Sequence, residues 1–142
     1  MTNVHPQTTI GHVHLKVADL DRAIGFYSGV LGFAVRQRFG SQAAFLSAGG
    51  YHHHIGLNTW DSAGGTPAPR GHTGLYHTAF LYPNRAELAD ALHRVVSAGI
   101  PIDGPQITAC PRRFISPTPT AMVSSSTETA LNPTGPVTQR VI

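Results

Sequence analysis

One local pattern occurs twice in this sequence, 65 residues apart, and it limits the possible folds more than any other feature. In each copy a histidine in an alternating apolar segment, His12 or His77, is followed seven residues later by a helix-capping residue, Asp19 or Asn84. A glycine ends the predicted helix 20 residues after the first histidine and 22 residues after the second. A shared order of strand, cap and closing glycine indicates an internal duplication, so we predict two similar modules.

The first copy predicts a strand, a helix and three further strands. Residues 10–17 alternate between apolar and polar side chains, which is typical of a half-buried strand. Asp19 caps a helix that is predicted to cover residues 20–31. Three apolar segments separated by glycine-containing turns predict the remaining strands, at residues 33–39, 42–48 and 51–58.

The second copy begins in the same way and then changes character. Residues 75–82 predict a strand and residues 85–98 predict a helix. Three more strands are expected after it, but residues 105–142 contain seven Thr, six Pro and four Ser and show no clear period. We therefore divide the chain into a first module (8–60), a linker (61–74), the start of a second module (75–104) and an anomalous tail (105–142).

Charge and hydropathy exclude several classes of function. The net charge is only +3, and the basic residues are scattered, so nothing predicts a nucleic-acid-binding surface. Apolar runs are shorter than a membrane span and the first residues do not form a signal peptide, so we expect a cytoplasmic protein without a membrane partner. The single cysteine, Cys110, excludes an intramolecular disulfide and a thiolate metal cluster.

Histidine is the residue type that points to chemistry. His12 and His77 occupy equivalent strand positions, so pairing of the two modules would bring their imidazoles together around a metal ion. The alternative for each is an ordinary core or surface histidine, and His14 is either a group that supports a ligand or a surface residue.

A second group of histidines, His52 to His54, stands in the predicted fourth strand. Alternation on a strand directs His52 and His54 to one face and His53 to the other, so at most two of them serve one site. One interpretation is a general acid or base beside a metal ion, and the other is an exposed polar end of the strand.

Three segments resemble the vicinal oxygen chelate superfamily, which includes glyoxalase I, extradiol dioxygenases, fosfomycin-resistance enzymes and bleomycin-binding proteins. They are IGHVHLKVADLDRAIGFYSGVLGF, GYHHHIGLNTW and GLYHTAFLYPNRAELADALHRVVSAGIPIDG, and the resemblance covers about residues 8–104. The middle segment is similar to small proteins of the catechol 2,3-dioxygenase branch. The resemblance implies an α+β fold of paired βαβββ modules around an open cavity, with the second module incomplete here.

The resemblance also implies a site. When this sequence is compared position by position with the superfamily pattern, the metal ligands correspond to His12 and His77. The acid-base histidine of the dioxygenase branch has its nearest matches in His53 and His54. Iron(II) is the expected metal, with manganese, zinc and nickel as alternatives, and the expected partners are a small aromatic substrate and a second copy of the chain. Gly56 stands where glyoxalase I has a carboxylate ligand, which argues against that activity.

The third ligand that the resemblance implies, a glutamate in a DPDGNGxELY-like segment near residues 117–127, is absent. With permitted synonymous codons, the neighbouring reading frame of residues 105–133 can encode such a segment, DPDGNGVELY. One of its glycines is independent of codon choice, because ATG for Met122 followed by GTN for Val123 always reads GGT in that frame. Our hypothesis is a frameshift, and the alternative is a natural Ser/Thr/Pro-rich tail. We expect impaired activity in either case.

The competing functions are a metal-free, bleomycin-resistance-like binding protein and a non-catalytic dimer.

Overall fold

The computed structural model describes residues 3–69, 71–100 and, for the backbone, 113–117, and these contain six strands, two α-helices and one π-helical segment. The strands and helices are β1 (Val13–Lys16), α1 (Leu20–Ile24), β2 (Ala34–Phe39), β3 (Ala43–Ser47), β4 (Ile55–Asn58), β5 (His77–Leu81), α2 (Arg85–Ser97) and β6 (Arg113–Pro117). Helix α1 continues as a π-helical segment over Gly25–Val30. The two helices predicted for residues 20–31 and 85–98 are thereby confirmed.

The first module is a four-stranded sheet covered by α1. The strand order is β1-β4-β3-β2, in which β1 and β4 are parallel and the other neighbours are antiparallel. Leu15 of β1 and the adjoining Val17 are buried, whereas His14 and Lys16 are exposed, so the predicted half-buried strand is confirmed. The order of strand, helix and three strands matches the prediction for this module.

The helix ends show why the two copies resemble each other. Oδ1 of Asp19 accepts a hydrogen bond from the backbone N–H of Arg22 at 3.0 Å, and Oδ1 of Asn84 accepts one from Glu87 at 2.9 Å. The closing glycines, Gly32 and Gly99, have φ angles of +86° and +70°, which other residues adopt at a cost. Caps and glycines therefore define both helices locally.

Tyr27 of the π-helical segment is the largest fully buried side chain in the part of the chain that the structure describes. Among the described residues, nothing forms a hydrogen bond with its hydroxyl group, and burial raises the pKa of that hydroxyl. A buried polar group without a partner destabilises the folded state.

We expect Tyr27→Phe to raise the free energy of unfolding by about 1 kcal/mol, because the ring stays in place while the unpartnered hydroxyl is removed. Urea unfolding of both proteins measures the difference. Tyr27→Leu is the control, because it removes the same hydroxyl but leaves a gap, and it is expected to destabilise the fold. A lower stability for Tyr27→Phe would show that the hydroxyl has a stabilising partner.

The fourth strand begins at Ile55, four residues later than predicted. Its ladder with β3 ends at the pair Leu46 and Ile55, and residues 51–54 bend to connect the two strands. Gly49, with a φ of +67°, supplies the turn. The alternation of a strand therefore does not apply to His52 and His53, and the prediction that they face opposite sides is wrong.

The described residues show one strand pairing in the second module. β5 pairs with β6 in an antiparallel ladder from His77 opposite Pro117 to Leu81 opposite Arg113, whereas β1 has a parallel neighbour. Strand pairing was predicted around residues 114–116, and β6 confirms it. The pairing predicted around residues 122–125 and the further strands predicted for this module lie outside the described residues.

Elements of the second module pack against the first module. Phe80 of β5 lies with its ring centroid 5.1 Å from that of Phe33, and Val95 of α2 belongs to the main hydrophobic core. Arg94 of α2 donates a 3.0 Å hydrogen bond from Nε to the carbonyl oxygen of Val30, at the end of the π-helical segment.

Neither helix in the described part of the chain has the length and apolar character that a membrane crossing requires.

Candidate metal centre

Three histidines come together at one edge of the four-stranded sheet. A ring nitrogen from each of His12, His52 and His53 lies within 4.8 Å of the others. His12 directly precedes β1, and the other two lie in the bend before β4. Because β1 and β4 are parallel neighbours, the residues before both strands meet at the same edge. We call these residues the three-histidine cluster.

The rings of the cluster lie close together, and two of the three residues are exposed to solvent. The ring centroids of His12 and His53 are 4.4 Å apart, as are those of His52 and His53, and His12 and His52 are 6.3 Å apart. His12 and His52 are exposed, whereas His53 is half-buried. The aromatic rings of Phe45 and Tyr51 support the cluster, at 5.0 Å from His53 and 4.2 Å from His52.

The environment of His53 favours its neutral form. Burial lowers the pKa of its imidazole, and the positive charges that His12 and His52 can carry lower that pKa further. A neutral imidazole has a free electron pair on one ring nitrogen, so His53 is able to bind a metal ion or to accept a proton.

His54 lies in a different environment, although it was predicted together with His53 as an acid-base residue. Its Nδ1 accepts a hydrogen bond from the backbone N–H of Ala48 at 3.3 Å and lies 3.1 Å from Oγ of Ser47. Because an N–H group points at Nδ1, the proton of the neutral ring is on Nε2. His54 also lines a cavity of 420 Å³ with apolar side chains that include Phe33 and Phe80. It is therefore suited to donating a hydrogen bond rather than to accepting a proton.

His77 is the first residue of β5, equivalent in sequence to the residue before β1. Its side chain is half-buried, and in the described part of the chain its Nδ1 is buried without a hydrogen-bond partner. His77 is not a member of the three-histidine cluster. The pairing of His12 with His77 around one ion stays a prediction.

Gly56 explains the position of His14. The two residues are partners in the register of β1 and β4, and a Cβ atom at position 56 would lie 2.9 Å from the His14 ring. The ring centroid is 5.9 Å from that of Phe45 and 5.7 Å from that of Trp60, and burial followed by the charge of His12 lowers the pKa of His14. A side chain at position 56 would displace this ring, which is consistent with the absence of a carboxylate ligand there.

His52 is the site residue that sequence analysis did not select. Strand alternation separated it from His53, but the bend at residues 51–54 brings both rings to His12. The signal that pointed to this was the pair Gly49-Gly50, since a turn so close before three histidines leaves little room for a strand to start at residue 51.

Comparison with known proteins is consistent with this fold. The chain is 44% identical to catechol-2,3-dioxygenase of Bacillus subtilis over 103 residues, which is 72% of this chain and 36% of that protein, so it spans about a third of the relative's length. A crystal structure of lactoylglutathione lyase from Agrobacterium tumefaciens has a similar fold, with a TM-score of 0.51 and 24% identity, covering 68% of this chain and 75% of that one. Residues 9–115 match the Glyoxalase/Bleomycin resistance protein/Dioxygenase superfamily, and the chain belongs to this superfamily.

Proposed function

We propose that this chain is a metal-dependent, catechol-binding protein of the extradiol dioxygenase type, with impaired ring-cleaving activity. The observation that carries the proposal is the 44% identity to a catechol-2,3-dioxygenase over 103 residues. Membership of a superfamily that includes dioxygenases supports it. The substrate class that follows is a small aromatic molecule with neighbouring hydroxyl groups.

The donor groups of the described residues fit a divalent metal ion. Imidazole nitrogens are suitable ligands for iron, zinc and nickel, and the rings of His12 and its neighbours are gathered at one edge of the sheet. The buried Nδ1 of His77, which has no hydrogen-bond partner among the described residues, is a further donor that a metal ion would satisfy. We propose His12 and His77 as the ligands, and iron(II) bound there would supply open coordination positions for a catecholate and dioxygen.

His53 and His54 have separate roles in this proposal. His53, which is neutral and lies 4.4 Å from the His12 ring, accepts the proton of a catechol hydroxyl group at its free ring nitrogen. His54 donates a hydrogen bond from Nε2 to a substrate oxygen, because Ala48 and Ser47 hold its Nδ1 as an acceptor. The ring of Phe45 packs against His53 with 5.0 Å between the ring centroids, and that of Tyr51 packs against His54 at 4.7 Å.

The impaired ring cleavage that we propose follows from the charge of the metal ion and its ligands. Two neutral imidazoles leave the full positive charge of a divalent ion uncompensated, whereas a carboxylate would offset part of it and tighten binding. The sequence has no glutamate in the expected segment near residues 117–127. We therefore propose weak metal binding and little ring cleavage in this chain.

A second candidate function is metal-free binding of a small aromatic ligand, as in the bleomycin-resistance proteins. The observation that favours it is the cavity of 420 Å³, which is lined by Leu31, Phe33, Phe80 and Tyr82 and reached by only one histidine of the bend, His54. A cavity of this volume fits a small planar molecule.

Catechol binding without oxygen distinguishes the two functions. We expect catechol at about 100 times its Kd to stabilise the iron(II)-loaded chain by about 2.7 kcal/mol and to have little effect on the metal-free chain. His77→Ala should remove the effect, and His93→Ala, an exposed residue of α2, should keep it. Equal stabilisation with and without iron(II) would instead support metal-free binding, and the readout is the unfolding midpoint.

A further inference from the structure

The three-histidine cluster is complete within the first module. Its ligand atoms come from residues 12, 52 and 53, which precede the two parallel strands β1 and β4 at the same edge of the sheet. We infer that His12, His52 and His53 form a zinc(II) site of their own, which requires neither His77 nor a carboxylate from the second module. This inference does not rest on the proposed function.

The spacing of the nitrogens is close to that of a bound site. Zinc takes imidazole nitrogens at about 2.0 to 2.1 Å, so two nitrogens on one tetrahedral ion are about 3.3 Å apart. The three ring nitrogens already lie within 4.8 Å of one another. His12 and His52 are exposed, so rotation of their side chains closes the remaining distance without movement of the core.

The backbone that carries the cluster is held in place. The N–H of Val13 donates to the carbonyl oxygen of His54 at 3.0 Å, which ties the start of β1 to the end of the bend. The N–H of His54 donates to Leu46 at 2.8 Å, which ties the bend to β3. Fixed backbone positions reduce the conformational entropy that ligand binding removes, and they favour a formed site.

The chemical type of the three ligand atoms determines which cations the site prefers. Three neutral imidazoles suit zinc and similar borderline ions, whereas magnesium and calcium prefer oxygen ligands. Three protein nitrogens with an open fourth position is a known coordination of zinc. Zinc held here occupies the free nitrogen of His53, so it would also block the proton transfer proposed for that residue.

The test is a zinc(II) titration of the full chain, purified without a histidine tag, in competition with a chromophoric chelator. We expect one zinc ion per chain. His52→Ala should weaken zinc binding by more than about a hundredfold, because loss of a group that only supports a ligand already lowers metal affinity by about ten- to a hundredfold. His77→Ala and His93→Ala should bind as the unchanged protein does. Cobalt(II) should give the intense absorption of a tetrahedral site, and His52→Ala should lose it.

Unchanged zinc affinity in His52→Ala, or an equal loss in His77→Ala, would overturn the inference. His52 is exposed, so its replacement should leave the fold intact, and His52→Gln with a thermal unfolding control provides a second variant. The zinc site and the proposed iron(II)-dependent function can be tested independently. The zinc site depends on His52, whereas iron(II)-dependent catechol binding depends on His77 and should persist in His52→Ala.

Discussion

Replacement of His12 with alanine should abolish both zinc(II) binding and iron(II)-dependent catechol binding. His12 is the one residue that the three-histidine cluster shares with the proposed pairing to His77. Loss of a direct ligand should weaken either metal by more than about a hundredfold. Because His12 is exposed, the stability of the metal-free chain should stay the same.

Titration with each metal, followed by thermal unfolding with catechol, measures this effect. His5→Ala is the matched control, since His5 is an exposed histidine outside the cluster. If His12→Ala still bound one metal ion per chain with the original affinity, both sites proposed for this edge of the sheet would be wrong.

Restoring the neighbouring frame over the codons for residues 105–133 should produce the second large effect. On the frameshift hypothesis, the restored chain ends in a DPDGNGVELY-like segment, which supplies the carboxylate that the resemblance implies as the third ligand. A negatively charged ligand offsets part of the charge of iron(II), so we expect at least about tenfold tighter binding, or about 1.4 kcal/mol.

Anaerobic iron(II) titration of the present and restored chains measures this difference. Substitution of the restored glutamate by glutamine is the matched control, because it keeps the segment and removes only the charge. Equal affinity in the present and restored chains would contradict the hypothesis that a frameshift removed the third ligand.

The parts of the fold that sequence analysis predicted well are those with local causes. Asp19 and Asn84 cap the helices through their own side chains, and Gly32 and Gly99 end them through positive φ angles. Each cap or closing glycine acts within a few neighbouring residues, so it can be recognised without knowledge of the tertiary structure.

The parts that it missed depend on contacts between distant residues. The start of β4 at Ile55 is set by where its ladder with β3 ends, and the antiparallel pairing of β5 with β6 departs from the parallel pairing of β1. A hydrophobic pattern does not specify a partner strand.

The candidate site was predictable only in part, for the same reason. His12 and His53 were selected from the sequence, but the approach of His52 to them requires both the parallel pairing of β1 with β4 and the bend before β4. The different surroundings of His54 depend on backbone and side-chain groups at the end of β3. The role of His77 as a ligand stays a prediction, and the further strands predicted for the second module lie outside the described residues.

Ring cleavage of catechol, followed by oxygen uptake and product formation with iron(II)-loaded protein, tests the proposed function most directly when the present and restored chains are assayed side by side. The restored chain should cleave catechol, its His77→Ala variant should not, and the present chain should show little or no activity. Equal activity of the present and restored chains would contradict the proposed loss of the carboxylate and would make Glu128 the leading candidate for the third ligand. No activity in the restored chain would contradict the extradiol function itself.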